Sequence, residues 1–286
     1  MPELPEVETI KRDLSNVLIG RRVSRFLVSK TRLLKSSKKL FISKLVGSKI
    51  LSVDRRAKLL LLNLSSGYTV LIHLKMTGQL VYQRASGKLK VGGHPIVGVD
   101  KIPNKYTYIT LSLDNKAKLF FNDVRQFGYW QIIDSKELDN KLSHFGPEPL
   151  SKNFTAEAFY KRLQSRRRTS IKAAILDQKI VSGIGNIYAD ESLFVARLYP
   201  GRLVGSLTSK ETRALFLSIK QVLRKSINAR GTSFNSYRDG LGRTGTYWEK
   251  RLVYGRTSQA CPRCGKIIKK LHIAGRGTHF CPNCQK

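Results

Sequence analysis

Two stretches of the chain gather residue types able to do chemistry. The first is its opening, Met-Pro-Glu-Leu-Pro-Glu-Val-Glu-Thr, with two prolines and three glutamates in the first eight residues. A chain end is ordinarily frayed and tolerant of change. A helix start accounts for part of this density: Pro5 suits a first turn, and acidic residues suit the positive end of a helix. The second stretch is Cys261-Pro-Arg-Cys264 and Cys281-Pro-Asn-Cys284, with sixteen residues between the pairs. Each C-x2-C turn presents two sulfurs to one ion, so Cys261, Cys264, Cys281 and Cys284 fit a single tetrahedral zinc. Four protein ligands leave no open coordination position, which makes that zinc structural and not catalytic. Two redox-active pairs are the other reading, but the βαβ pattern that accompanies such pairs is missing. The residues between the pairs, IIKKLHIAGRGTHF, suit a β-hairpin with Arg276 at its tip between Gly275 and Gly277. An arginine there reaches a phosphate backbone; without the metal and the overall basicity it would read as a solvated loop charge.

The composition says what such a surface meets. Of 286 residues, 53 are Lys or Arg and 19 are Asp or Glu, a formal charge of +34. That excess repels itself unless a polyanion is present, which points to nucleic acid; an anionic membrane surface or polyphosphate also fits. A hydrophobic content of 41% supports packed cores, and the length allows two domains. The longest apolar runs fall far short of the roughly 20 residues needed to span a bilayer, and no signal segment opens the chain. A cytoplasmic protein follows, in which cysteines bind metal sooner than they form disulfides.

The elements that must position these groups show in the periodicity. Val7, Ile10, Leu14 and Val17 recur at helical spacing over 6–18. Segments 59–64 and 69–82 read as strands around the turn Ser65-Ser66-Gly67, and 106–113, 119–122 and 128–133 as further strands. Residues 86–105, rich in Gly and Lys, suggest an exposed loop. An antiparallel sandwich with an N-terminal helix is the economical arrangement. Composition shifts at FGPEPLSKNF, where Pro147 and Pro149 make a stiff linker. Beyond it the pattern is helical at 155–164, 170–179, 186–195 and 209–227. In VSGIGNIYADE, Gly183 and Gly185 permit a tight connection and Asn186 stands at an N-cap position. Two readings stand there: a helix hairpin with a capping Asn, or an anion site on the exposed amides of the helix start.

Together these pieces closely resemble the formamidopyrimidine-DNA glycosylase family of base-excision repair enzymes. The resemblance covers essentially the whole chain and rests on PELPEVET, RRAKLLLL, HLKMTGQL, NDVRQFG, GPEPL, SGIGNIYADE and VYGRTSQACPRC…GRGTHFCPNCQK. It implies an α+β, two-domain protein. An antiparallel β-sandwich with its N-terminal helix occupies 1–145, a linker 146–154 and a helical domain with a helix–two-turns–helix 155–250. A zinc finger over 251–286 follows, and duplex DNA lies between the domains. The nucleophile it implies is the amine of Pro2, freed by loss of Met1; an α-amine titrates near pH 8, far below lysine. Glu3 would move protons around the sugar, Glu6 would support the amine and a bound water, and Lys58 would contact phosphate beside the lesion and support catalysis.

A base acted on within a duplex must leave the stack. The resemblance assigns Met76 to the vacated space, His73 to a phosphate, Arg125 to the widowed cytosine and Phe127 to a wedge. Asn186 and Arg276 would contact phosphates. Alternation along HLKMTG puts Ile72, Leu74 and Met76 on one side and His73 and Lys75 on the other; on its own, that reads Met76 as core. Gln126 stands where many relatives carry an arginine, which would weaken a backbone contact. Tyr106 and Tyr108 stand where relatives often show histidines and receive no role, and 232–246 matches a loop that covers the flipped base. The activity expected is excision of oxidised purines, principally 8-oxoguanine opposite cytosine and formamidopyrimidines, with lyase cleavage by β,δ-elimination. The protein would be a monomer, associated with the nucleoid through DNA. An endonuclease VIII-like enzyme for oxidised pyrimidines and a non-catalytic zinc-ribbon DNA-binding protein are the alternatives. An RNA-binding module lacks aromatic-rich single-strand signatures.

Overall fold

A computed structural model describes residues 1–87, 89–93, 102–232 and 245–286, the backbone alone for 89–93. The chain divides into two compact units, Met1–Ser143 with Ala229–Trp248, and His144–Asn228 with Glu249–Lys286.

The first unit opens with α1 (Leu4–Leu18), preceded by Glu3 at its N-cap and carrying Pro5 in its first turn. Val7, Ile10, Leu14 and Leu18 form its buried stripe, each removal from water contributing roughly 1.5–3 kcal/mol. Strands β1 (Val23–Val28), β2 (Ile50–Arg56), β3 (Leu59–Leu64), β4 (Tyr68–His73), β5 (Gly78–Gln83), β6 (Leu89–Gly93), β7 (Thr107–Leu113), β8 (Lys118–Asp123) and β9 (Tyr129–Asp134) follow, with α2 (Lys38–Leu45) after β1 and α3 (Leu138–Leu142) after β9. They form two antiparallel sheets, ordered β1-β7-β8-β5-β6 and β2-β3-β4-β9. One apolar core joins α1, α2 and both sheets, around the fully buried Trp130, Phe121 and Phe41.

Two expectations change here. Residues 69–82 are not one strand: β4 ends at His73, and Leu74–Thr77 turn the chain into β5 of the other sheet. Lys75 takes φ +50° in that turn. A Cβ on Gly78 would stand 2.4 Å from the Leu74 carbonyl oxygen, so only glycine closes it. Within 86–105, residues 89–93 pair with β5 as a strand, because a free ladder of β5 amides outweighs weak local propensity.

The second unit holds α4 (Ala156–Gln164), α5 (Ile171–Leu176), α6 (Asn186–Val195) and α7 (Ser209–Asn228); α8 (Tyr247–Lys250) precedes the hairpin β10 (Lys269–Ile273) and β11 (Arg276–Phe280). Thr155 and Ser170 cap α4 and α5 through their hydroxyls. Gly185, not Asn186, is the N-cap of α6, and Asn186 is its first helical residue. Gly183 is left-handed at φ +84°, whereas Gly185 is extended at φ −128°. The connection is organised by Gln178, whose amide bonds Leu176 O, Ile184 O and the Gly183 N–H.

Residues 229–248 follow α7, yet they pack with the first unit. Arg230 Nη2 reaches both oxygens of Asp13, at 2.7 and 2.6 Å, and the Thr232 N–H donates to Glu6 at 2.8 Å. Thr232 and Thr246 bridge to each other; 233–244, most of the segment matched to a base-covering loop, lies outside the described residues.

Candidate functional site

The start of α1 buries Pro2, Glu3 and Glu6 and leaves Met1 exposed. Glu6 folds back to accept from the Glu3 N–H at 2.9 Å through Oε2, while its Oε1 takes the Thr232 N–H. A Cβ on Gly231 would come within 2.9 Å of Oε1, and its φ is +82°, so glycine is needed for this approach. Glu6 is therefore held by two backbone amides, which fixes the chain end against the segment after α7. Lys58 lies with Ala57 on the two-residue turn joining β2 to β3, and is only 8% exposed. A buried lysine on a hairpin tip is unusual.

These groups share one electrostatic environment. Burial drives the amino group at the chain end below its ordinary value of 8.0; Glu3 and Glu6 oppose that shift, and Lys58 and Arg125 reinforce it. That amino group is the one on Met1, a residue ahead of Pro2, and the direction of the shift raises the free-base fraction that a nucleophilic amine needs.

Beside it, the two crossovers between the sheets meet. Asp123, fully buried at the end of β8, accepts from the Thr77 hydroxyl of the first crossover and from the Gly128 N–H of the second, the latter at 2.7 Å. Thr77 in turn accepts the Arg125 N–H at 3.0 Å. This clamp brings three side chains together: Arg125 Nη1 lies 3.1 Å from the Met76 sulfur, and its guanidinium stacks 4.7 Å from the Phe127 ring centre. Met76 is 41% and Phe127 53% exposed. Met76 is thus exposed and not core, because the turn at Leu74–Thr77 breaks the alternation that pointed it inward. Sequence reasoning missed Asp123 and Thr77; their place inside the NDVRQFG and HLKMTG motifs was the available signal. Gln126, at φ +56°, accepts from Lys30 (3.1 Å) and from Arg32. An arginine there would face two cations, so the glutamine gathers positive charge from neighbouring residues. Tyr108 is buried under Lys30.

His73 closes β4 with its Nδ1 accepting the Lys75 N–H at 2.9 Å, which leaves the proton on Nε2. Burial, with Lys75 and Lys58 nearby, brings its pKa from 6.5 to about 3. His73 is therefore a neutral hydrogen-bond donor. Unfolded, it takes up a proton near pH 6.5, so between these values the unfolded state binds more protons and stability falls as pH drops, by about 1.4 kcal/mol per unit. Denaturation of the first unit at pH 7.5, 5.5 and 4.5 should show this added slope in the wild type and not in His73→Asn; parallel slopes would refute it.

In the second unit, Asn186 donates from Nδ2 to Gly277 O at 2.9 Å, so one of its two N–H groups tethers the hairpin that carries Arg276. The tip is Ala274-Gly275, both left-handed, and Arg276, expected at the tip, is instead the first residue of β11, paired with Ile273 and exposed. Lys172 and Asp190 pair at 2.7 Å with both side chains fully buried. Asp190 also accepts the His279 N–H at 2.8 Å, and Lys172 donates to Thr278 Oγ1 at 2.8 Å. Glu191 accepts three N–H bonds from Leu252, Val253 and Tyr254; burial nonetheless pushes its carboxyl up. Asp190 and Glu191, the acids of SGIGNIYADE, are thus structural anchors that sequence reasoning left without a role.

The four cysteines carry no disulfide, and their sulfurs lie within 4.8 Å of one another. The Cys261–Cys284 and Cys264–Cys281 separations are 3.9 and 3.5 Å. A zinc tetrahedron with 2.3 Å bonds has sulfurs about 3.8 Å apart, so the donor set fits zinc. Gln285 completes the frame, accepting the Cys281 N–H and donating to Leu198 O. No helix among the described residues is long and apolar enough to cross a membrane.

Comparison with known proteins agrees along the chain. Residues 1–130 match the formamidopyrimidine-DNA glycosylase N-terminal domain, 145–237 the formamidopyrimidine-DNA glycosylase H2TH domain, and 258–286 the zinc finger found in FPG and IleRS. A formamidopyrimidine-DNA glycosylase of Herpetosiphon aurantiacus is 40% identical, with all of both chains covered. Two solved structures of the Lactococcus lactis enzyme are also similar. One, bound to abasic-site DNA, is 31% identical with a TM-score of 0.89 over 99% of each chain. The other, wild type with N7-benzyl-Fapy-dG DNA, is 32% identical with a TM-score of 0.88 over both whole chains.

Proposed function

The chain belongs to the formamidopyrimidine-DNA glycosylase family, and from that premise we propose that it excises oxidised purines from duplex DNA through the amine of Pro2. It is a DNA glycosylase of base-excision repair, with the family's lyase activity and one structural zinc. The observation that carries the finer reading is the burial of Pro2, Glu3, Glu6 and Lys58 directly behind an exposed Met1, whose amino group feels Glu3, Glu6, Lys58 and Arg125.

With Met1 removed, the secondary amine of Pro2 attacks C1′ of the flipped nucleotide, the glycosidic bond breaks and the base leaves. Once the amine proton is lost, the nitrogen lone pair breaks the C1′–O4′ bond, O4′ takes up a proton and an iminium ion results. Its positive charge accepts the electron pair released when a proton leaves C2′, and the 3′ phosphate departs; loss of a second proton, from C4′, then expels the 5′ phosphate. Glu3, buried beside the amine, suits the proton transfers. Glu6, whose oxygens accept the Glu3 and Thr232 N–H groups, holds the chain end. Lys58 disfavours a second positive charge on the chain-end amine and offers a cation to the phosphate of the same nucleotide.

Arg125, held over Phe127 with Met76 beside it, suits occupation of the gap: the arginine reads the opposed base while the apolar pair props the stack. His73 donates Nε2–H to a phosphate. In the second unit, Asn186 and Arg276 add phosphate contacts, consistent with the charge of +34. The zinc ligands would be Cys261, Cys264, Cys281 and Cys284, and the ion holds the hairpin without entering the chemistry. The protein acts as a monomer, in the cytoplasm and on the nucleoid.

Borohydride trapping with 8-oxoguanine:cytosine and thymine glycol duplexes tests the reading. A covalent adduct formed faster on 8-oxoguanine is expected. Preference for thymine glycol would transfer the chain to the oxidised-pyrimidine enzymes, and absence of any adduct would overturn the mechanism.

A further inference from the structure

We propose that the Glu8–Arg55 pair is a positioning device that sets Lys58 against the amine at the chain end. Arg55, on β2, sends Nε to Glu8 Oε2 of α1 at 3.0 Å and Nη1 to the Ala57 carbonyl at 2.9 Å. One guanidinium thus bonds at once the helix that carries Pro2, Glu3 and Glu6 and the turn that carries Lys58. The pair is well shielded, with side-chain exposures of 10% for Arg55 and 13% for Glu8.

The turn needs such a brace. Ala57 is held at φ +54°, a left-handed conformation that a side chain resists, and it is 1% exposed. Relaxing it would swing Lys58 along with it, since the loop between Arg56 and Leu59 has only these two residues. Glu8 is itself fixed. Burial opposes its ionisation, but Arg55, Arg12 and Lys11 surround it and hold its carboxyl below the usual range. Its other oxygen accepts from Arg12 Nε at 2.9 Å. Planar guanidinium geometry matters here, because a lysine at position 55 has one nitrogen and cannot span both acceptors equally.

This inference rests on the reading of the terminal amine as nucleophile, and its test separates the two. The charged groups acting on the Met1 amino group are Glu3 and Glu6 at the start of α1, Lys58 from the β2–β3 turn and Arg125 from the β8–β9 crossover, and loss of Met1 sets the Pro2 amine one residue deeper among them. Displacing Lys58 removes a cation that lowers the amine pKa, so the acid limb of the rate profile moves to higher pH. In single-turnover trapping by borohydride, Arg55→Met should slow adduct formation 10- to 100-fold and shift the limb upward. Duplex Kd should change less than threefold, and Arg55→Lys should recover only part of the rate. Glu8→Gln, which keeps the bond to Ala57, should lose 3- to 10-fold, and it decides the question should Arg55→Met not fold. Wild-type rate and unshifted limb in Glu8→Gln and Arg55→Lys, or losses matched by Kd, would overturn the positioning role. A wild-type protein that forms no adduct would instead overturn the nucleophile assignment itself.

Discussion

A chain extended by a few uncleaved residues before Pro2 should lose base excision and borohydride-trapped adduct by about three orders of magnitude or more, while its duplex Kd stays within threefold. Loss of an enzyme nucleophile costs on the order of 10³–10⁶ in kcat, and here the loss would be complete in kind. An acylated proline nitrogen has no hydrogen and has delocalised its lone pair into the amide, so it can neither attack C1′ nor become an iminium. Pro2→Gly should lose less, because a primary amine still attacks but gives an imine that must be protonated before it draws electrons. The buried position of Pro2 and Glu3 also means that extra residues must find room where Met1 now emerges. The controls are intact mass, to establish which residue begins the chain, and thermal unfolding. Full trapping by the extended chain would move the nucleophile to another amine, with Lys58 the first to examine.

The second large effect concerns the metal. Cys281→Ser should reduce zinc from one ion per chain to a small fraction and weaken duplex binding about 100-fold or more, with the β-sheet signal of the first unit retained. The reason is the size of the core the finger packs around: Val253, Ile268 and two of the cysteines themselves, Cys261 and Cys281, against Phe194 of α6. So few apolar residues cannot order a segment of this length, whereas structural zinc supplies roughly 10–16 kcal/mol of apparent folding energy. Without the ion the strand pairing of β10 and β11 loosens, and the bonds from Asn186 and Lys172 to Gly277 lose their partner. Arg276 then no longer projects from a fixed strand end beside the turn. Unchanged affinity in a zinc-free variant would show that the finger does not hold DNA.

Some of this was legible in the chain itself. The cysteine spacing defines the metal site because two sulfurs three residues apart meet one ion whatever the rest of the fold does. The stripe Val7, Ile10 and Leu14 defines α1 because a helix returns to the same face every three or four residues, and all three are buried. Most strands showed in their apolar runs. The runs gave no warning of the break at Leu74–Thr77, since leucine, methionine and threonine suit a strand as well as a turn; the misfit lay in Gly78, whose close approach to Leu74 is invisible without coordinates.

What the sequence alone determined, then, is what short-range geometry encodes: helix α1 with its chain-end proline and glutamates, the four sulfurs, and an ordered set of motifs specific enough to place the family. Only the tertiary structure decided how those motifs meet. Thr232 reaches Glu6 across 226 positions, Arg55 reaches Glu8 across 47, and Thr77 reaches Asp123 across 46. No periodicity records such pairings, because they follow from chain closure between elements and not from the spacing within one. They make Glu6, expected to support the amine, a tether of the chain end, and leave Met76, which alternation alone placed in the core, exposed.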